Sequence, residues 1–388
     1  VSGATRSPLH QQIDTLPDLI RQIALPFDQS ARATFDFELC TSVKRVYLAG
    51  CGDSHHAALG AELAFHQLAG VPAQALTAMS FGRYTAAYLP ETGPNTNLMI
   101  GISVSGAVSR TIEAVRMAGL AGATTVALTG NPAAPIAQAA GRVFRTTVPP
   151  LPDELNMVVP GVRSYLASQV GLYSAAIRIG EVRGHLTTAQ ADGLRRELAG
   201  LADIVQRTIA TGEALASEAV ARWADAPDFV FVGSGPLYGA ALFSAAKLLE
   251  ASGDPAMGQD TEEWAHLQYF VETSRTPTAL LCASGFDADR MAEIARALQA
   301  IGRRSIAVVP EGESAISPLV DVVLPVCGHV RECFAPIVYS IAGELLAAAR
   351  AAQVNSRYFR DFGGGRTVTW AEGASNIRGS HTITELLR

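Results

Sequence analysis

Apolar positions along this chain fall into two alternating rhythms. Short runs such as Arg45–Gly50 (RVYLAG), Asn97–Ile102 (NLMIGI) and Thr124–Thr129 (TTVALT) are separated by stretches of about 10 to 18 residues with apolar positions at helical spacing. Continuous apolar runs mark strands covered on both faces, and their alternation with helices is the signature of βαβ units around a parallel sheet. The pattern predicts strands near 45–50, 72–76, 97–102, 124–129 and 143–147, and again near 228–233, 277–283, 304–309 and 321–325. A helical stretch with few breakers over 187–223 joins the halves, and one amphipathic helix is expected at Gln11–Ile23. From Asn355 the periodicity lapses around Gly363-Gly364-Gly365, and the aromatics and arginines beyond (Tyr358, Phe359, Arg360, Trp370) favour an ordered flap over a loose terminus.

The chain also repeats itself. Val46-Tyr47-Leu48-Ala49-Gly50-Cys51-Gly52 is echoed in the second half by Phe229-Val230-Phe231-Val232-Gly233-Ser234-Gly235, and Thr124 to Thr129 is echoed, nearly in step, by Arg304 to Val309. The expected fold is therefore α/β, with two doubly wound domains, each a parallel sheet flanked by helices. We expect the first domain with its N-terminal helix over 1–185, the second with its connecting helix over 186–354, and a tail over 355–388.

Composition narrows the function. Apolar residues make up 48% of the 388 positions and charged ones 17%, so the chain must bury a core. The net charge of −6 argues against nucleic acid or an acidic membrane surface as a partner. No uninterrupted apolar run reaches the roughly 18 to 20 residues a bilayer requires, and a cytoplasmic location is expected. The five cysteines are odd in number and lack C-x-x-C spacing, which points away from a disulfide framework and a zinc knuckle.

In an open α/β sheet, ligands bind beyond the carboxyl ends of the strands. Three loops there carry chemistry. After the first strand comes Cys51-Gly52-Asp53-Ser54-His55-His56; after the third comes Ser103-Val104-Ser105-Gly106, leading to Ser109; and after the first sheet comes Pro160-Gly161-Val162-Arg163-Ser164. Hydroxyls, a glycine and helix N-terminal amides suit an anion. A dinucleotide is disfavoured, because His55 stands where G-x-G-x-x-G needs its third glycine, and no Walker lysine exists. His55 and His56 are adjacent and splay apart on a helix, so no metal and no cofactor are expected. In the second half, Lys247 and Glu250 share a helix face, and Glu262-Glu263-Trp264-Ala265-His266 opens the next helix. A carboxylate and an imidazole near one sugar can move a carbon-bound proton and open the ring.

Taken together, the C-G-D-S loop at 51–54, S-x-S-G at 103–106, PGVRSY at 160–165 and the K-x-x-E followed by E-x-x-H resemble the tandem sugar isomerase (SIS) domain proteins. The likeness is to the isomerase half of glucosamine-6-phosphate synthase and to its deaminase and deglycase relatives, over roughly residues 35 to 388. The resemblance implies a sugar phosphate whose anionic group is held by Ser54, Ser103, Ser105 and the helix amides after Gly106, with Cys51, Gly52, Asp53, Val104, Ser109 and Ser164 also lining the substrate site. It implies Glu250 as the base, Lys247 as its electrostatic partner, and His266, at the family's spacing from that glutamate, as the ring-opening group reaching a neighbouring subunit. A homodimer is implied, as is a C-terminal tail over 355–388 that covers the active site. The expected reaction is isomerisation of a phosphosugar or deamination of an amino-sugar phosphate, with a deglycase or a non-catalytic sensor as alternatives. No glutaminase domain is expected ahead of the pair, and the tail SNIRGSHTITELLR lacks the lysine of the synthases. Val108 replaces a threonine common in the family, which leaves room for a sulfonate or a shifted phosphate.

Overall fold

A computed structural model describes residues 6–90, 93–151, 158–283, 285–361 and 381. Ten strands are described: β1 (Arg45–Gly50), β2 (Ala73–Thr77), β3 (Asn97–Ile102), β4 (Thr124–Thr129), β5 (Arg142–Arg145), β6 (Phe229–Val232), β7 (Ala256–Gln259), β8 (Thr278–Leu281), β9 (Ser305–Pro310) and β10 (Val322–Val326). They form two five-stranded sheets with every pairing parallel, ordered β2-β1-β3-β4-β5 and β7-β6-β8-β9-β10. Each sheet has the order 2-1-3-4-5 counted from its own first strand, so the sequence repeat is a repeat of topology. In both, the order reverses between the first and third strands, the switch point at which open α/β sheets admit ligands.

Two compact units contain these sheets, and their limits run across the chain instead of cutting it once near residue 185. Residues 18–149 and 163–200 belong to the unit of the first sheet, whereas 6–17 join 201–361 in the unit of the second. The N-terminal segment is fixed there by the Leu9 amide donating to the Tyr358 hydroxyl at 3.2 Å and by Arg6 pairing with Glu213. The single helix expected at Gln11–Ile23 is two, Pro8–Asp14 and Leu16–Thr34. Ser7 caps the first, with Pro8 in its first turn, and the chain breaks at Thr15 ahead of Pro17. The expected 187–223 helix runs from Thr188 to Arg222.

Burial follows the apolar pattern. Tyr47, Phe81, Met99, Val115 and Ile136 pack on one face of the first sheet, and Val230, Leu280, Met291, Ile294 and Trp264 do so in the second. Fully burying side chains of this size contributes about 1.5–3 kcal/mol each. One helix among the described residues, Glu332–Gln353, has the length and mean hydropathy (1.3) to cross a membrane, but 89% of its apolar window is buried. It is the core helix on which Pro236–Ala251 lies, closest at Gly343, where an added Cβ would collide with the Ser244 side chain. The tail expected over 355–388 lies outside the described residues from 362 onward, except for His381.

Candidate functional site

The glycines of the repeat set the local geometry of both switch points. Gly52 (φ 55°, ψ −129°) precedes the Asp53–Ala64 helix, and Gly235 (φ 52°, ψ −127°) precedes Pro236–Ala251. A positive φ of this kind is strained for any residue with a Cβ. Two residues earlier in each copy, glycine allows strand and helix to close up: a Cβ at Gly50 would lie 2.7 Å from Ser54 Cβ, and one at Gly233 would lie 2.7 Å from the Leu237 carbonyl oxygen. Each turn therefore aims the first amides of a helix at the end of its sheet.

In the first unit, the β1–β3 pairing (Ala49 opposite Gly101) brings the Cys51–Ser54 and Ser103–Ser109 loops side by side. Ser103 is 2% exposed, and its Oγ accepts from the Gly106 amide at 3.1 Å. It thus shapes the turn. Ser105 is exposed, its Oγ accepting from the Ala107 amide at 3.4 Å, and Val104 is exposed beside it. Gly106 has φ 69° and is packed so that an added Cβ would collide with that of Ala134. The Ser109–Leu120 helix that follows has no side-chain cap at its N-terminus, and Ser109 is buried at its start. Such an end presents amide donors and the positive pole of the helix dipole. Cys51 is half-buried and takes a weak hydrogen bond from the Thr111 hydroxyl, 3.7 Å away. His56 Nδ1 lies 3.7 Å from Asp53, while burial and the neighbouring His56 push His55 down to about 4. Ser164 is half-buried in the first turn of Arg163–Val182, and its carbonyl accepts from Ser168.

Sequence reasoning missed one cluster in this unit. Glu113, 1% exposed, accepts from Arg83 Nε at 2.7 Å and from Arg110. Arg83 follows β2 and Arg110 sits in the first turn of the Ser109–Leu120 helix, so both cations stand at the ligand end of the sheet. Arg83 and Glu113 lie on separate elements far apart in the chain, and no local spacing announces the pair.

In the second unit, Lys247 and Glu250 meet as the spacing predicts. Lys247 is fully buried, with Nζ 2.5 Å from Glu250 Oε2 and 4.9 Å from the centre of the Phe243 ring. The Glu250 side chain remains 26% exposed. His266 ends the short helix Thr261–His266 with its side chain 69% exposed. Its Nε2 is 3.2 Å from Glu262, which Arg290 also holds. The hydrogen bonds of His266 thus run to Glu262 and not to the Lys247–Glu250 pair.

The second switch point differs in charge from the first. The loops after β6, β7 and β8 carry Ser234, Asp260 and Asp287, with Glu332 close by. Burial raises the Asp287 carboxyl despite a hydrogen bond from Ser234, and burial likewise raises Glu332, with Asp287 adding to the effect. Such a crevice disfavours an anion. Among the described residues no group of three or more His, Cys, Asp or Glu is arranged to hold a metal.

Residues 40–177 match the family described as the SIS domain. Over 337 residues the chain is 27% identical to a glutamine–fructose-6-phosphate aminotransferase (isomerizing) of Gloeobacter violaceus, covering 86% of this chain and 52% of that protein. The chain spans about half the length of the curated relatives it matches. Among solved structures, the C-terminal domain of glucosamine-fructose-6-phosphate aminotransferase from Francisella tularensis superposes with a TM-score of 0.75 at 18% identity, covering 92% of this chain and 99% of that one. The tagatose-6-phosphate ketose/aldose isomerase of Escherichia coli gives 0.72 at 17%, covering 92% and 95%. At such identities the structures establish a shared fold.

Proposed function

We propose that this chain, which carries a SIS domain over residues 40–177, binds a sugar phosphate and catalyses aldose–ketose isomerisation or deamination of an amino-sugar phosphate. The relatives' printed names concern the 6-phosphates of fructose and tagatose, and the same substrate class is proposed for this chain. Ser54, Ser105, Ser109, Ser164 and the amides following Gly106 hold the anionic group, with Cys51, Gly52, Asp53 and Val104 lining the loops and Ser103 fixing the turn. In the open-chain sugar, the Glu250 carboxylate takes the proton from the carbon next to the carbonyl or imine. The electron pair moves onto oxygen or nitrogen to give an enediol or enolamine, and Glu250 returns the proton to the neighbouring carbon; in the deamination, water then adds to the resulting imine carbon and ammonia leaves. Lys247 stabilises the charge that develops. His266 assists ring opening, and its exposure is compatible with service to a second copy in a homodimer.

The observation that carries this reading is the buried Lys247 bonded to the partly exposed Glu250. An ordinary ion pair between neighbouring helix residues sits in solvent, where its worth is small. Burying a lysine ammonium is costly unless it is paired, and this one pairs with a carboxylate whose side chain is 26% exposed. The test is solvent deuterium exchange into C1 of fructose 6-phosphate and into C2 of glucosamine 6-phosphate. Glu250→Gln should lower exchange by about 10²–10⁴-fold, the range for a lost general base, with binding within a few-fold of wild type. Wild-type exchange in Glu250→Gln removes the assignment, and no exchange by the unaltered chain with either sugar favours a sensor. The same enolamine chemistry would serve a deglycase.

A further inference from the structure

At the opposite edge of the second sheet, where β9 and β10 begin, lies a cavity of about 330 Å³ whose lining includes Arg222, Trp223, Arg303, Arg304, Ser305 and Asp321. We infer that this cavity is a second anion site, built for a small phosphate ester, and that its occupancy is felt by the segment carrying His266. The volume is at the lower end of small-molecule pockets, too small for a dinucleotide.

Three of the named lining residues are cations and one is an acid. The acids nearby are already engaged. Asp321 accepts from the Ser305 amide at 2.9 Å and from its hydroxyl at 3.3 Å, with Arg222 3.5 Å away. Asp225 is shared between Arg304 at 2.8 Å and Arg275 at 3.8 Å, and Asp228 accepts from the Thr276 hydroxyl. Arg303, 4% exposed, donates among the described residues to the backbone carbonyls of Gln268 at 3.1 Å and Val271 at 2.6 Å. Its Nε is buried with no hydrogen-bond partner among the described residues. A buried guanidinium bonded to neutral acceptors is under-compensated, and burial accordingly lowers its proton affinity despite Asp228. An oxyanion in the cavity supplies the missing counter-charge. The helices Thr188–Arg222 and Ala288–Ala300 end near the same place, and the roughly half negative charge at each C-terminus offsets part of the positive field that the arginines supply.

Arg303 also links the cavity to the chemistry. The two carbonyls it holds belong to the segment immediately after His266, and its guanidinium lies 5.9 Å from the Trp264 ring on the helix that carries His266. An anion drawing on Arg303 competes with those carbonyls and loosens or shifts residues 267–271. This regulatory part rests on the proposed role of His266; the binding part does not.

Hydrogen–deuterium exchange of the full chain, titrated with inorganic phosphate, tests both. Phosphate should slow exchange over 299–305 and 318–322 and alter it over 267–271. Arg222, with its side chain 54% exposed, can be changed without disturbing the core. Arg222→Glu should abolish the protection, and Arg222→Gln should weaken phosphate at this site about tenfold, the loss of one charge-assisted hydrogen bond. Ser105→Ala should leave it intact. Unchanged exchange over 299–305 and 318–322, or protection retained in Arg222→Glu, overturns the site. Protection there with 267–271 unaffected overturns the link. Exchange over 103–112 reports separately on the loop of the proposed function, so failure of one reading is not mistaken for failure of the other.

Discussion

A buried histidine in the first turn of the helix after β1 carries a pH signature. His55 is pushed from 6.5 down to about 4, chiefly by burial, so the unfolded chain binds the proton more readily than the folded one. Its contribution to stability is present above about pH 6.5 and is lost as pH falls toward 4. Denaturant titrations over that window should show a loss on the order of 2 kcal/mol in the wild type, and His55→Gln should flatten the slope. An unchanged slope would mean that the imidazole is hydrated when folded. Other residues at this scale vary in legibility. The Lys247–Glu250 pair could be read from its spacing, because a helix brings such positions together. The Glu113 cluster could not, since Arg83 reaches it only through the packing of separate elements. Ser103 was legible as a member of its loop but not as the residue that braces it, a distinction set by which way its hydroxyl turns.

Secondary elements repeat this contrast. β1, β3, β4, β6, β8, β9 and β10 announce themselves as apolar runs. β7 (Ala256–Gln259) does not, because AMGQ has no β-branched residue and its extended form comes from pairing with β6. Gly258 is required there by the overlying helix, since a Cβ would meet Leu242 Cα at 2.6 Å. The matched turns at Gly52 and Gly235 give a paired prediction. Among the described residues nothing lies within 4 Å of a Cβ added at either glycine, so substitution meets backbone strain without a clash there. Gly52→Ala and Gly235→Ala should each cost about 1–2 kcal/mol in chemical denaturation, and Gly50→Ala and Gly233→Ala should cost more. A clear inequality within the first pair would break the equivalence of the two copies.

For the molecule as a whole, a ligand of the native state adds to its stability by mass action. Fructose 6-phosphate at about a hundred times its dissociation constant should add about 2.7 kcal/mol and raise the melting temperature in a thermal-shift assay, while unphosphorylated fructose should do little. Equal shifts would remove the anion from the proposed recognition. The doubled architecture was legible from the echo between the two halves, but the discontinuous units were not, because the attachment of residues 6–17 to the second unit depends on contacts with Tyr358 and Glu213. Both copies keep the glycine-hinged turn, yet the carboxyl groups of Asp260, Asp287 and Glu332 lie at the second. Stoichiometry follows from that asymmetry under the proposed function: on the carboxyl edges of its sheets a chain should admit a single sugar phosphate, with the acidified copy serving as scaffold for Glu250 instead of as a competing receptor.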